Sequence, residues 1–276
     1  MTPHAERFAR VVGGADEGIN LAEAALLIAA EEYRNLDIDS YLGKLDDTAA
    51  TLKRRLRPDI SQADSIIALN RYLFDELGYA GDAANYYDAR NSFLNDVIDR
   101  RTGIPITLSV VYLEVARRMG LKLFGVGMPG HFIVKYADDE QEIFVDPFHG
   151  GLLLTEDRCR EIIAEMYSGE VEFQPAFLQA VTGKQILIRM LQNLKAIYAH
   201  AGDHHKTLGV VERILLIKPD SITEIRDRGL VYLARGRYDE AKADLEKYLR
   251  DAPLAEDVGE IKKRLSQLRQ RQAQLN

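Results

Sequence analysis

Apolar residues recur at helical spacing from Leu21 to Arg57, interrupted by GIN at 18–20 and LDID at 36–39, which predicts two or three helices at the start of the chain. Another helix is predicted from Ser61 to Leu77, stopped by Gly78. GYAGDAANYYDARN (78–91), rich in Gly, Asn, Asp and Tyr, reads as a structured loop. A helix from Ser92 to Arg100 follows, and Pro105 suits the first turn of the next, over about Ile106 to Met119. After Gly120 the period changes. LKLFGVGM (121–128), HFIVKYAD (131–138) and EIFVDPF (142–148) are short and rich in Val, Ile, Phe and Tyr. They are separated by PG and by DDEQ, the pattern of consecutive antiparallel strands. Helices first and strands second predict an α+β domain.

Beyond Gly183 the pattern is helical and repeats. KAIYAHAGDHHKTLGVVERILLIKP (195–219) matches GLVYLARGRYDEAKADLEKYLRDAP (229–253) at a displacement of 34, pairing Tyr198 with Tyr232, Gly202 with Gly236 and Pro219 with Pro253. That period and those offsets resemble the tetratricopeptide repeat, whose helix pairs must stack to bury their apolar faces. The expected organisation is a helical N-terminal segment over 1–60, an α+β domain over 61–180 and an all-α repeat domain over 184–276.

Composition adds exclusions. With 36 Lys and Arg against 43 Asp and Glu, the net charge of -7 offers no broad basic field, so nucleic acid is not an expected partner. The basic stretch KKRLSQLRQRQ (262–272) reads as a solvated terminal helix. LAEAALLIAA (21–30) is too short to span a bilayer, and the first twenty residues hold no apolar leader, so a cytoplasmic protein without membrane attachment is expected. The single cysteine, Cys159, excludes an internal disulfide or a multi-cysteine metal site, and it lies in EDRCREIIAEMY, where a buried structural thiol is expected.

The residues that could carry chemistry lie in GHFIVKYADDEQEIFVDPFHGG (130–151). His131 opens one strand and Asp146 closes the next, so an antiparallel pair can bring imidazole and carboxylate together. A carboxylate there fixes the tautomer and raises the basicity of the imidazole. His149 could join them as a two-His, one-carboxylate metal site or could simply help to fix a tautomer; no cofactor and no metal are expected. His200, His204 and His205 read as a solvated turn. Asn85, Tyr86, Tyr87, Asp88 and Asn91 suit either a recognition surface or a loop held by its own hydrogen bonds.

A helix preceded by a Gly turn, then a strand opening on His and one closing on Asp-Pro, resembles the transglutaminase-like, papain-related fold. LAEAALLIAAEEY, NSFLNDVIDRRTGIPITLSVVYLEVARRMGL, GMPGHFIVKY, FVDPFHGG and the terminal repeats together look like the bacterial transglutaminase-like proteins of the SirB type. The resemblance implies a cysteine–histidine–aspartate triad, with His131 in the place of the histidine and Asp146 in that of the acid. In competent relatives the cysteine sits at the N-terminus of the helix that here runs through LSVVYLEVARRMGL, where the helix dipole stabilises a thiolate. That site falls at Pro105 to Thr107, and its only hydroxyl or thiol is Thr107. Thr107 either caps the helix or serves as a nucleophile with His131 as base. Ser109, two residues on, points elsewhere and reads as packing.

Two functions are therefore expected. The first is a cytoplasmic interaction or regulatory protein that keeps the cleft without the thiol and binds peptide or protein segments there or along the repeats. The alternative is an acyl-transfer or amide-hydrolysing enzyme using Thr107, His131 and Asp146.

Overall fold

In the computed structural model, which describes residues 3–139 and 141–275, the chain opens with α1 (Pro3–Val12), α2 (Leu21–Ala29) and α3 (Ile38–Arg55). Asn20 and Asp37 start the second and third by accepting from the N–H groups of Glu23 and Ser40, as N-cap side chains do. α4 (Gln62–Asn70) runs into a π-helical turn at Arg71–Glu76, where the sequence predicts one regular helix. Turns of this kind often stand beside functional sites. Here Asn70, just before the widening, donates to Gly151 O at 2.8 Å and accepts from the Tyr112 hydroxyl at 2.7 Å.

β1 (Ala80–Gly81) pairs in parallel with β2 (Thr102–Gly103), and α5 (Leu94–Arg100) begins after a 3-10 turn at Ala89–Ser92 rather than at Ser92 itself. α6 (Pro105–Met119) is buried at every residue from Pro105 to Ala116. A helix enclosed on all sides needs no polar face, which is why its sequence shows little amphipathic contrast. It ends at Gly120, whose φ of +93° is the left-handed conformation that glycine adopts without a Cβ penalty. α2 and α3 pack on α6, and Arg118 donates to Asp46 at 2.5 Å. The helices before residue 60 thus share one compact unit with the sheet, a unit that extends to Met190; a second begins at Leu191.

The three predicted strands are present in shortened form as β3 (Phe124–Val126), β4 (Ile133–Ala137) and β5 (Glu142–Asp146). β6 (Leu152–Leu154) and β7 (Ala180–Val181) complete an antiparallel sheet of order β6-β5-β4-β3-β7; at three and two residues they are too short to show a period of two. α7 (Glu156–Met166) lays Cys159 and Ile163 against Val126, Ile133, Phe144 and Leu154 of the sheet.

The remaining helices are α8 (Gly183–His200), α9 (His204–Ile217), α10 (Ile222–Ala234), α11 (Tyr238–Asp251) and α12 (Val258–Leu275). Equivalent turns follow α8 and α10, with Gly202 at φ +70° and Gly236 at φ +72°. In the second unit Leu245 and Tyr248 pack with Ile261 and Leu265, and Val211 and Leu215 with Ile225. The architecture is α+β followed by all-helical repeats. Among the described residues, no helix is long and apolar enough to cross a membrane.

Candidate functional site

The register of β4 on β5 pairs Val134 with Val145, so Asp146 falls opposite Ile133, two residues from His131 and on its face of the sheet. The two side chains meet: His131 Nε2 lies 2.7 Å from Asp146 Oδ2. His149, on the 3-10 turn Pro147–His149, brings its Nδ1 to the same oxygen, also at 2.7 Å. The other carboxylate oxygen, Oδ1, accepts from the N–H groups of Phe148 at 3.0 Å and His149 at 3.3 Å.

Asp146 is fully buried. Burial alone pushes its carboxyl up, but the hydrogen bonds and charge of His131, and then those of His149, outweigh that effect and hold it below the ordinary carboxylate value. An ionised Asp146 accepts an N–H from each imidazole; in the neutral tautomers that make these bonds, His131 Nδ1 and His149 Nε2 carry the lone pairs. Below the pair, Arg189 donates to the carbonyls of Met128 at 3.1 Å and His131 at 2.8 Å, fixing the start of β4.

Thr107 does not join this group. Its side chain is fully buried; Oγ1 donates towards Asn91 O at 2.7 Å and Ile104 O at 3.1 Å, and accepts from Ile104 N–H at 3.1 Å. The hydroxyl closes the first turn of α6 and ties it to the preceding loop, the capping role weighed for it against that of a nucleophile. The residue of that turn on the cavity wall is Pro105, which offers neither thiol nor hydroxyl. Ser109 is fully buried as well.

The cavity has a volume of about 600 Å³, and His131, Asp146 and His149 lie on its wall with Pro105 and Phe148. The 78–91 loop divides between two roles. Tyr86 and Tyr87 line the cavity, their rings 5.3 Å apart, and Tyr86 stands 6.2 Å from Phe148. Asn85, Asp88 and Asn91 take the second of the two roles open to them and hold the loop through its own hydrogen bonds. Asn91, fully buried, donates to Asp82 Oδ2 at 3.0 Å and Asn85 O at 2.9 Å and accepts from Arg100 at 3.1 Å. Asp88 pairs with Arg90 at 2.6 Å.

Sequence reasoning missed the opposite wall, where Leu152 of β6 and Ile162, Glu165 and Met166 of α7 complete the cavity. The available signal was the apolar run LLL (152–154) directly after FHGG, which puts leucines beside His149 without saying that they are exposed. Arg189 also escaped notice, although a single guanidinium in the apolar run ILIRML marks a position that needs buried acceptors.

In the second unit, Lys195 Nζ donates to Glu224 at 2.6 and 2.8 Å and to Asp227 at 2.9 Å, beside a cavity of about 270 Å³. Asp203 starts α9 by accepting from the N–H groups of His205 and Lys206, so the turn near His200, His204 and His205 is held by its own cap.

A helix of catalytic type packed on an antiparallel sheet that pairs His131 with Asp146 defines a transglutaminase-like protein. The model of the transglutaminase-like superfamily matches residues 39–192, and a tetratricopeptide repeat model matches residues 194–266. The chain belongs to the transglutaminase-like superfamily and, within it, to the UPF0162 family. A UPF0162 protein of Xylella fastidiosa (strain 9a5c) is 38% identical over 260 residues, covering 92% of this chain and 91% of that protein. One from Pseudomonas aeruginosa is 29% identical over 235 residues, covering 85% and 86%. Human F-box only protein 21 is 32% identical over 149 residues, 51% of this chain and 23% of that protein.

Proposed function

We propose that the chain is an interaction or regulatory protein of the cytoplasm that binds a peptide or protein segment in the cleft beside His131 and does not process it covalently. One observation carries this reading. Tyr87, Leu152 and Met166 are 79%, 52% and 50% exposed, and all three converge on the cavity whose wall has Pro105 where a nucleophile is needed. Large apolar side chains gathered in the open around a concave site mark a binding surface rather than ordinary surface scatter. Tyr86 and Phe148 supply flat faces that take up side chains at small entropic cost.

The chemistry agrees. A thiolate at the N-terminus of α6 would be stabilised by the helix dipole, whereas proline has no ionisable group, and Thr107 is committed to three backbone partners. The order of motifs resembles that of the SirB-type proteins, which supports a scaffold of that type around this site. Tetratricopeptide repeats generally serve protein–protein interaction, which makes a protein ligand the natural occupant.

Selection from a displayed random peptide library against the full chain tests the reading. An enriched sequence whose binding is weakened about tenfold or more by Tyr87→Ala or Leu152→Asp is expected, since an anchoring contact is worth about 1–2 kcal/mol or more. No enrichment, or binding indifferent to both changes, contradicts it.

A further inference from the structure

We infer that His131, Asp146 and His149 form a binding site for one divalent transition-metal ion of the zinc, cobalt or iron(II) class. The donor atoms of the three side chains all lie within 4.8 Å of one another. Two imidazole nitrogens from different elements aim at a single carboxylate oxygen, each from 2.7 Å. An ion bound at about 2.0–2.2 Å from each donor needs neighbouring donors about 3 Å or more apart, so the Asp146 oxygen must draw back from both nitrogens to admit it.

The donor chemistry fits this class of ion. Two neutral imidazoles and one carboxylate form the two-His, one-carboxylate set that leaves coordination positions open, and they suit borderline ions better than Ca²⁺ or Mg²⁺, which prefer oxygen. The set carries one negative charge with neutral imidazoles, so a dication is only partly neutralised and can still take an anionic ligand from the cleft. Binding needs no proton to leave the protein: each imidazole N–H moves to its other nitrogen, freeing Nε2 of His131 and Nδ1 of His149.

The surroundings are those of a prepared site. Asp146 is anchored through Oδ1 by two backbone N–H groups, so the carboxylate is oriented before an ion arrives, and Arg189 fixes the backbone that carries His131 through its carbonyl. The His149 side chain is 60% exposed and opens the set to solvent through the cavity. One imidazole suffices to orient a carboxylate or be oriented by it; a second on the same oxygen completes a donor set suited to coordination. The inference stands on this donor set alone and does not require that the cleft bind peptide.

The test is titration of the full chain, freed of metal by chelation, with Zn²⁺ by calorimetry and with Co²⁺ by its visible absorption. One ion per chain is expected, with affinity reduced about tenfold or more in His149→Ala and His131→Ala. His149→Gln, which keeps the side-chain bulk at an exposed position, is expected to show the same loss with an unchanged circular dichroism spectrum. The double variant His204→Ala/His205→Ala, which removes the other histidine-rich turn, is expected to bind as the parent does. No binding of either ion below about 100 μM, an affinity far short of a metal site's, overturns the inference. So does binding that survives His149→Gln, or that disappears with the His204/His205 pair. Peptide selection repeated in chelator separates the two proposals, because enrichment there with no metal binding leaves the peptide reading intact and ends this one.

Discussion

Pro105 and His131 line the same cavity, the proline on the first turn of α6 and the imidazole at the head of β4. On the proposed reading, their juxtaposition keeps the orienting half of an acyl-transfer site beside a residue with no ionisable group. Pro105→Cys therefore places a thiol at a helix N-terminus on the same cavity wall as an imidazole, both of which favour thiolate. The introduced thiol is expected to titrate below the ordinary value of about 8.5 and to alkylate readily near pH 6.5, with both properties lost on adding His131→Ala. Alkylation rates across pH measure this; a thiol of ordinary or raised pKa contradicts the placement.

Thr107 acts on stability rather than chemistry. Thr107→Val leaves Asn91 O and Ile104 N–H without their buried partner and is expected to destabilise the fold by about 1–3 kcal/mol, while Thr107→Ser retains the bonds and costs less. Chemical denaturation gives the comparison. Ligand binding in the cleft is expected to be unaffected by Thr107→Ser, because the hydroxyl it retains does not reach the cavity.

Much of this was legible in the sequence, for identifiable reasons. The His131–Asp146 pair follows from strand alternation and a short connection, both local. The choice between Thr107 as cap and Thr107 as nucleophile depends on Asn91 O, sixteen residues away, which no pattern along the helix reports. The cavity wall formed by α7 and β6 is likewise a product of packing: Leu152 and Met166 look like ordinary apolar positions until the fold leaves them exposed. The split of the 78–91 loop into Tyr side chains facing the cleft and Asn and Asp side chains that bond within the loop needs the Asp82–Asn91–Arg100 network, in which Asn91 is buried against α5.

The loop that carries His149 is fixed from the helical side. Gly151 has φ +77°, and a Cβ there would come within 2.6 Å of the Phe74 ring and 2.8 Å of the Asn70 amide carbon. Gly151→Ala is therefore expected to destabilise the unit by about 1–3 kcal/mol and to displace the loop. Tyr112→Phe, which removes the bond to Asn70 Oδ1, is expected to cost about 1 kcal/mol or more. Thermal unfolding reports both changes, and the imidazole NMR signal of His149 should shift in each.

Cys159 is inert by burial. Its thiol is fully enclosed and pushed up to about 11, by desolvation first and then by the negative charges of Asp146 and Glu156. A raised folded pKa means that the native state keeps the proton: this contribution to stability is complete below the unfolded value of about 9 and is lost as pH rises through about 11. Disulfide-exchange labelling at pH 8 should be negligible for native protein and stoichiometric after unfolding. Rapid native labelling would contradict the packing of α7 on the sheet.

Whether the cleft binds without covalent chemistry is read most directly from a bound peptide's fate. A peptide selected on the full chain is incubated with it, and the mixture is followed by intact-mass spectrometry while binding is measured on the same sample. The account predicts saturable binding, weakened by Tyr87→Ala and Leu152→Asp, with the peptide recovered whole and no acyl adduct on the protein. Cleavage or acylation that disappears with His131→Ala would contradict it.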